Sequence, residues 1–409
     1  MNLQRRFETG FSRVVKISAA LCLCAIAGQA VAQLPTDAPP TIKFNDWREV
    51  SRIESATEYF VSFPSPLPSG FPNNDTVPLR VFVPDEAPTP CAVVLLTHYW
   101  GATDLKAEVS LAEDLARRGI ATAILTLPYH IGRTPPGHRS GDLAIEPDPA
   151  RLTKTMLQSV QDARRAVDFL ASRPEFRTDQ LGLAGTSLGA LVAALTYAVE
   201  PRITHVAFLV GGADIAHIIW NSSRVVIQRD ALRRKGYTQT RLRSALQIIE
   251  PLTYLPRSTS GTALVIGAKF DTVIPVEDTR ALIDGLPGAK TLWLDTGHYG
   301  GVFVQRKILN EVARFFSQEF SGRAYVTPKK LVAPTVRLGL KLDAPFGPDL
   351  VAGVDLLKFD VRGDGFTSLF ITPRGLQLFI GGKVSQAVSL GITGTVKGVG
   401  VGILWSTVL

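Results

Sequence analysis

Sulfur is scarce in this chain: three cysteines and two methionines in 409 residues. Cys22 and Cys24 fall inside an N-terminal leader, so only Cys91 is expected in the mature protein, and a lone cysteine forms no internal disulfide. Cys91 opens an apolar stretch and reads as a buried structural thiol. Long apolar runs are also missing. The stretch from Ile17 to Gly28 is too short to span a bilayer as a helix. No phosphate-cradling glycine loop, no His/Cys cluster at metal-ligand spacing and no internal repeat stands out, which argues against nucleotide-dependent and metal-centred chemistry. A hydrophobic fraction of 45% and a charged fraction of 20% instead describe a globular protein with a sizeable core.

What the N-terminus does carry is an export signal. Arg5, Arg6, Arg13 and Lys16 precede the apolar run, and Ala30-Val31-Ala32 supplies small residues for cleavage before Gln33. The expected location is therefore the periplasm or the exterior. Of the formal +8 net charge, the leader's four basic residues and Glu8 account for +3. The remainder is modestly basic, and nucleic-acid binding does not follow.

After residues 1–32, the proline-rich segment 33–56 reads as a flexible lead-in. From there strands and helices alternate. Eight strands are expected, near residues 58–63, 77–83, 91–96, 120–127, 181–186, 203–210, 262–266 and 291–294. Amphipathic helices lie between them, at Leu105 to Ala116, Arg151 to Ser172, after Ser187, and at Val302 to Phe316. The pattern predicts an α/β domain over 57–322, with a mainly parallel eight-stranded sheet and helices on both faces. Between 212 and 260 the alternation pauses for helical, charged sequence, the expected place of a lid. A linker over 323–334 leads to 335–409, where Val336, Leu338, Leu340 and Leu342 alternate with Arg337, Gly339, Lys341 and Asp343. This last region reads as a small all-β domain, a sandwich or open barrel of about five or six strands that binds a partner or simply packs. So few strands argue against a membrane barrel made by one chain.

One pentapeptide organises the chemistry. Gly185-Thr186-Ser187-Leu188-Gly189 lies between a short strand and an apolar helix, the G-x-S-x-G pattern of a strained turn that lifts a serine hydroxyl above a sheet edge. Such a serine needs a base, and the base needs an orienting acid. His298 follows the last strand of the α/β domain, and Asp271 follows the strand before it. Asp214, after the strand at 203–210, and Asp295, beside His298, are rival acids. Donors for a developing oxyanion are expected from the Leu188 N–H and from the loop His98-Tyr99-Trp100-Gly101. Trp100 N–H is assigned there, with Tyr99 as its neighbour and His98 as a prop for the loop.

On these residues the chain resembles the α/β-hydrolase superfamily across roughly Tyr59 to Ser321, near its dienelactone hydrolase and acetyl esterase branches. The resemblance implies a carboxylic-ester hydrolase that works through an acyl-serine on Ser187, with Asp271 and His298 completing the triad. It implies no cofactor and no metal, and a small-molecule or polymer-borne ester as substrate. Tyr99 departs from the glycine that such oxyanion loops usually carry. Peptidase, acyltransferase and non-catalytic surface-binding functions remain open at this point. The lid's run of arginines, or the β domain, offers a contact for a membrane surface, and Ile218, Ile219 and Trp220 offer an acyl pocket.

Overall fold

A computed structural model describes residues 44–255, 262–328, 335–359, 365–385 and 387–408. The leader, most of the expected lead-in and part of the linker lie outside these residues.

The α/β region is built on β1 (Asn45–Ile53), β2 (Ala56–Pro64), β3 (Thr76–Pro84), β4 (Cys91–Thr97), β5 (Ala121–Leu125), β6 (Phe176–Thr186), β7 (Ile203–Leu209), β8 (Thr262–Ala268) and β9 (Lys290–Leu294). They form one nine-stranded sheet in the order β1-β2-β3-β5-β4-β6-β7-β8-β9. From β5 to β9 across the sheet every pairing is parallel, whereas β1, β2 and β3 join antiparallel at one edge. The sheet thus has nine strands and not eight. The added strand is β1, taken from the expected lead-in, and aromatic packing holds it. Trp47 stacks on Tyr59 with ring centroids 4.4 Å apart, while Phe44 meets Phe169 edge-on at 5.0 Å.

β4 is buried at every position, as the middle strand of a sheet covered on both faces must be. The covering helices are α1 (Lys106–Ala116), α2 (Pro149–Ser172), α3 (Leu188–Val199), α7 (Val276–Asp284) and α8 (Gln305–Phe320). α1 and α8 share a core cluster with Val94, Ile124 and Leu264, centred on Phe315 and Phe316. Between β7 and β8, where a lid was expected, the chain forms α4 (Ile215–Asn221), α5 (Val226–Arg234) and α6 (Gln239–Leu246). Glu250 fixes the lid's start by accepting the N–H groups of Asp214 and Ile215 at 2.9 and 2.8 Å. Three of the lid's basic side chains have partners. Arg243 pairs with Asp214 at 2.6 Å, Lys235 donates to the Pro147 carbonyl at 2.8 Å, and Arg233 lies over the Trp220 ring at 5.0 Å.

The C-terminal region comprises β10 (Thr335–Ala344), β11 (Gly347–Phe359), β12 (Gly365–Thr372), β13 (Gly375–Lys383), β14 (Val388–Thr395) and β15 (Gly398–Val408). Each pairs antiparallel with the next, and β15 returns to β10. The result is a closed six-stranded barrel, neither sandwich nor open barrel. Closure removes both sheet edges, which is the physical gain over an open arrangement.

Candidate active site

Ser187 sits between the end of β6 and the start of α3 with φ 53° and ψ −114°, a conformation that side chains rarely tolerate. The two flanking glycines explain how the turn is accommodated. A Cβ on Gly185 would lie 2.2 Å from the Gly189 carbonyl oxygen, and one on Gly189 would lie 2.2 Å from that of Thr97. Helix start, strand end and the neighbouring β4 therefore touch backbone to backbone, and only glycine fits. The Ser187 N–H donates to the Leu209 carbonyl at 2.9 Å, fastening the turn to β7.

The structure brings Ser187, His298 and Asp271 into one hydrogen-bonded chain. His298 Nε2 stands 3.0 Å from Ser187 Oγ, and His298 Nδ1 stands 2.7 Å from Asp271 Oδ2. Asp271 Oδ1 accepts the N–H groups of Val273 and Ile274, each at 2.8 Å, so both carboxylate oxygens are committed. The carboxylate is fully buried and the imidazole nearly so, at 0% and 7% side-chain exposure. A buried acid oriented in this way fixes the imidazole tautomer with Nδ1–H toward the acid and leaves Nε2 to accept from the serine. Neither rival acid occupies this position. Asp214 caps α4 and pairs with Arg243, and Asp295 pairs with Lys269 at 2.7 Å.

The loop after β4 is held by two buried histidines. His98 Nδ1 lies 2.8 Å from the Tyr99 carbonyl, and its Nε2 accepts the Leu127 N–H at 3.0 Å. His130 repeats the arrangement: Nδ1 lies 2.8 Å from the Pro128 carbonyl, and Nε2 accepts the Gly101 N–H at 3.0 Å. Each Nε2 acts as an acceptor, so both rings are neutral with the proton on Nδ1. Burial is the main reason that they stay so, pushing His98 down to about 3 and His130 down to about 4. The Trp100 indole N–H donates to the Gly141 carbonyl at 2.8 Å, which aims its ring at the site. His130 is the functional support that the sequence did not single out. It lies in an irregular Pro/Gly-rich stretch with no periodicity, and its only signal was its place just after β5.

Beside Ser187 opens an apolar pocket of about 580 Å³, its open mouth included. Ile215, Ile218 and Ile219 of the lid, Met156 of α2, and Val273 and Ile274 beyond the acid line it. Trp220, grouped with Ile218 and Ile219 in the sequence, turns away under Arg233. Arg224 marks the rim, its guanidinium 5.2 Å from the Trp100 ring centre. The candidate oxyanion donors Leu188 and Trp100 both border this pocket. Leu188 is the first residue of α3, and its N–H is among those a helix leaves without an internal partner.

Comparison with known proteins places the fold and the family. An acetyl xylan esterase from Paenibacillus sp. R4 superposes with a TM-score of 0.52 at 19% identity, over 68% of this chain and 87% of that one. Acetyl xylan esterase 1 from Thermoanaerobacterium sp. JW/SL YS485 gives 0.50 at 16% identity, over 69% and 91%. The uncharacterized protein YdjC of Bacillus subtilis (strain 168) is 26% identical over 105 residues, which is 26% of this chain and 90% of that protein. The family model described as "Alpha/beta hydrolase domain containing 18" matches residues 29–260, more than half of the chain, including Ser187 and the lid. The chain belongs to the alpha/beta hydrolase domain containing 18 family.

Proposed function

We propose that this protein is an exported serine hydrolase that cleaves a carboxylic ester through an acyl-serine intermediate. The observation that carries the proposal is the hydrogen-bonded chain Ser187–His298–Asp271, whose serine opens onto an apolar pocket. In the first step His298 Nε2 takes the Ser187 proton as Oγ bonds to the acyl carbon. The carbonyl oxygen becomes an oxyanion, held by the N–H groups of Leu188 and Trp100. Each such donor contributes about 2.7–4 kcal/mol toward lowering the barrier. The imidazolium then protonates the alcohol oxygen as the ester C–O bond breaks. Water, deprotonated by the same imidazole, releases the acid and restores Ser187. Asp271 keeps the imidazole oriented and stabilises the imidazolium.

An apolar acyl pocket lined by branched side chains suits a short acyl group, with the alcohol portion directed past Arg224 toward solvent. That division accommodates either a small-molecule or a polymer-borne ester. The leader predicted at residues 1–32 supports export. A panel of p-nitrophenyl esters of graded acyl length, with peptide and acceptor-alcohol substrates alongside and Ser187→Ala as the blank, tests the proposal. Ester turnover that disappears in the variant is the expected result. Turnover confined to peptides or to acyl transfer would replace it with a different use of the same serine.

A further inference from the structure

The C-terminal barrel is inside out for a protein in water. Among the residues of its six strands whose burial is described, every exposed position is Leu, Ile, Val, Ala, Gly, Pro or Trp. Each strand contributes, through Leu340, Leu350, Ile371, Ile380, Ile392 and Val401 in turn. Leu350, Ile371 and Val401 are 71%, 69% and 70% exposed, whereas Arg337 and Lys341 inside are 1% and 0% exposed. The interior charges are paired. Arg337 meets Asp355 at 2.8 Å, Lys341 meets Asp343 at 2.6 Å, and Gln377 donates to Asp349 at 3.1 Å. Rings of Phe366, Phe370 and Phe379 fill the rest of the lumen. They fit because inward positions elsewhere are glycine: a Cβ on Gly353 would lie 1.6 Å from the Phe370 ring, and one on Gly391 would lie 2.8 Å from that of Phe379.

Water drives apolar side chains inward and charges outward, so this distribution would be costly there. We propose that the barrel is inserted in the hydrocarbon core of a lipid bilayer and anchors the hydrolase to it. Four observations select lipid over a protein partner. The apolar surface runs round the whole circumference, and one protein interface, including a two-fold one with a second copy, covers only one patch. The strands hold 8 to 13 residues, against about 9–11 for a tilted strand that crosses a bilayer. Among the described residues, the barrel's exposed charges, Arg374 and Lys397, sit in tight turns at one end, beyond the apolar belt. Trp405 faces outward near the opposite end, where an indole suits the water–lipid boundary.

Six strands are fewer than the eight of the smallest familiar single-chain membrane barrels. The physical requirements are a closed hydrogen-bond ladder and a filled or hydrated lumen, and this barrel meets both. With side chains plugging it, the barrel is an anchor and not a channel. Among the described residues no helix is long and apolar enough to cross a membrane.

The test uses the full chain, dialysed from detergent into vesicles of neutral phosphatidylcholine and floated on a density gradient. The expected result is co-flotation that survives high salt and alkaline carbonate, with Trp405 fluorescence quenched by brominated lipid relative to a Trp405→Phe control. The paired substitution Leu340→Asp and Ile380→Asp should lower the floating fraction roughly tenfold or more. Because that variant could fail to close its barrel, the quenching of wild-type Trp405 stands as the independent readout. Binding only to anionic vesicles with release by salt would assign the contact to basic surface residues and overturn the proposal. A detergent-free soluble oligomer with Trp405 unquenched would overturn it in favour of a second copy.

Discussion

In β4 every side chain from Cys91 to Thr97 is buried, while in β10 Leu338, Leu340 and Leu342 face outward and Arg337, Lys341 and Asp343 face inward. The first strand is solvated by protein on both faces and therefore carries no pattern. The second is solvated differently on its two faces and therefore alternates with period two. The contrast teaches that burial alone does not define a core. In the α/β region burial removes apolar surface from water, and its few buried ion pairs serve position, as Arg133 and Asp162 do at 2.8 Å. In the barrel, burial collects the charges, and the apolar surface is left for another medium.

If the two regions are separate devices, damage to one should spare the other, and the largest effect belongs to the serine. Ser187→Ala should lower ester turnover by a factor on the order of 10⁶ while leaving vesicle flotation unchanged. Steady-state kinetics and the gradient, run on one preparation, check both halves. Asp271→Asn should cost about 10⁴ in kcat, since the wrong His298 tautomer would face the serine, with folding intact by circular dichroism. Conversely, Asp355→Ala leaves Arg337 as a buried unpaired charge, a loss of about 3–5 kcal/mol to barrel stability. Denaturant unfolding followed at Trp405 should report it, and turnover at Ser187 should not.

Acid should separate the regions as well. His98 and His130 are held neutral by the fold, at about 3 and about 4, whereas an unfolded histidine titrates near 6.5. Between those values the unfolded chain binds protons that the folded one refuses, so stability rises with pH there. The contribution is complete above about 6.5 and is lost as pH falls toward 4. Activity should therefore fail in that window, with the Trp100 loop moving, before any change in the barrel; stopped-flow pH jumps with activity readout would follow it. The smallest expected effect is selective. Ile218→Ala enlarges the acyl pocket by a few methylenes and should shift the preferred acyl length, changing relative kcat/KM by roughly tenfold.

Much of the candidate site was legible in the sequence because its members lie at the ends of strands. The strand–Gly-x-Ser-x-Gly–helix order left Ser187 little choice of place, and Asp271 and His298 follow β8 and β9 in the order that converges on it. Asp214 stayed a rival until geometry gave it to Arg243, since chain order alone allows an acid after either strand. β1 was hidden because its anchors are aromatic contacts with residues as distant as Phe169. The sense of the barrel was hidden for a deeper reason. Period-two alternation is symmetric under exchange of inside and outside, so Val336 to Asp343 looks the same in water and in lipid. The exposure of Leu338, Leu340 and Leu342 against the burial of Arg337, Lys341 and Asp343 settles which face is which.

The central claim is that Ser187 is the nucleophile, poised by His298 and Asp271. Intact-mass spectrometry of the folded protein after a fluorophosphonate probe, with peptide mapping of the adduct, tests it most directly. One phosphonyl group on Ser187, absent in His298→Ala under the same exposure, is the predicted result. An unlabelled Ser187 in folded wild-type protein would contradict it.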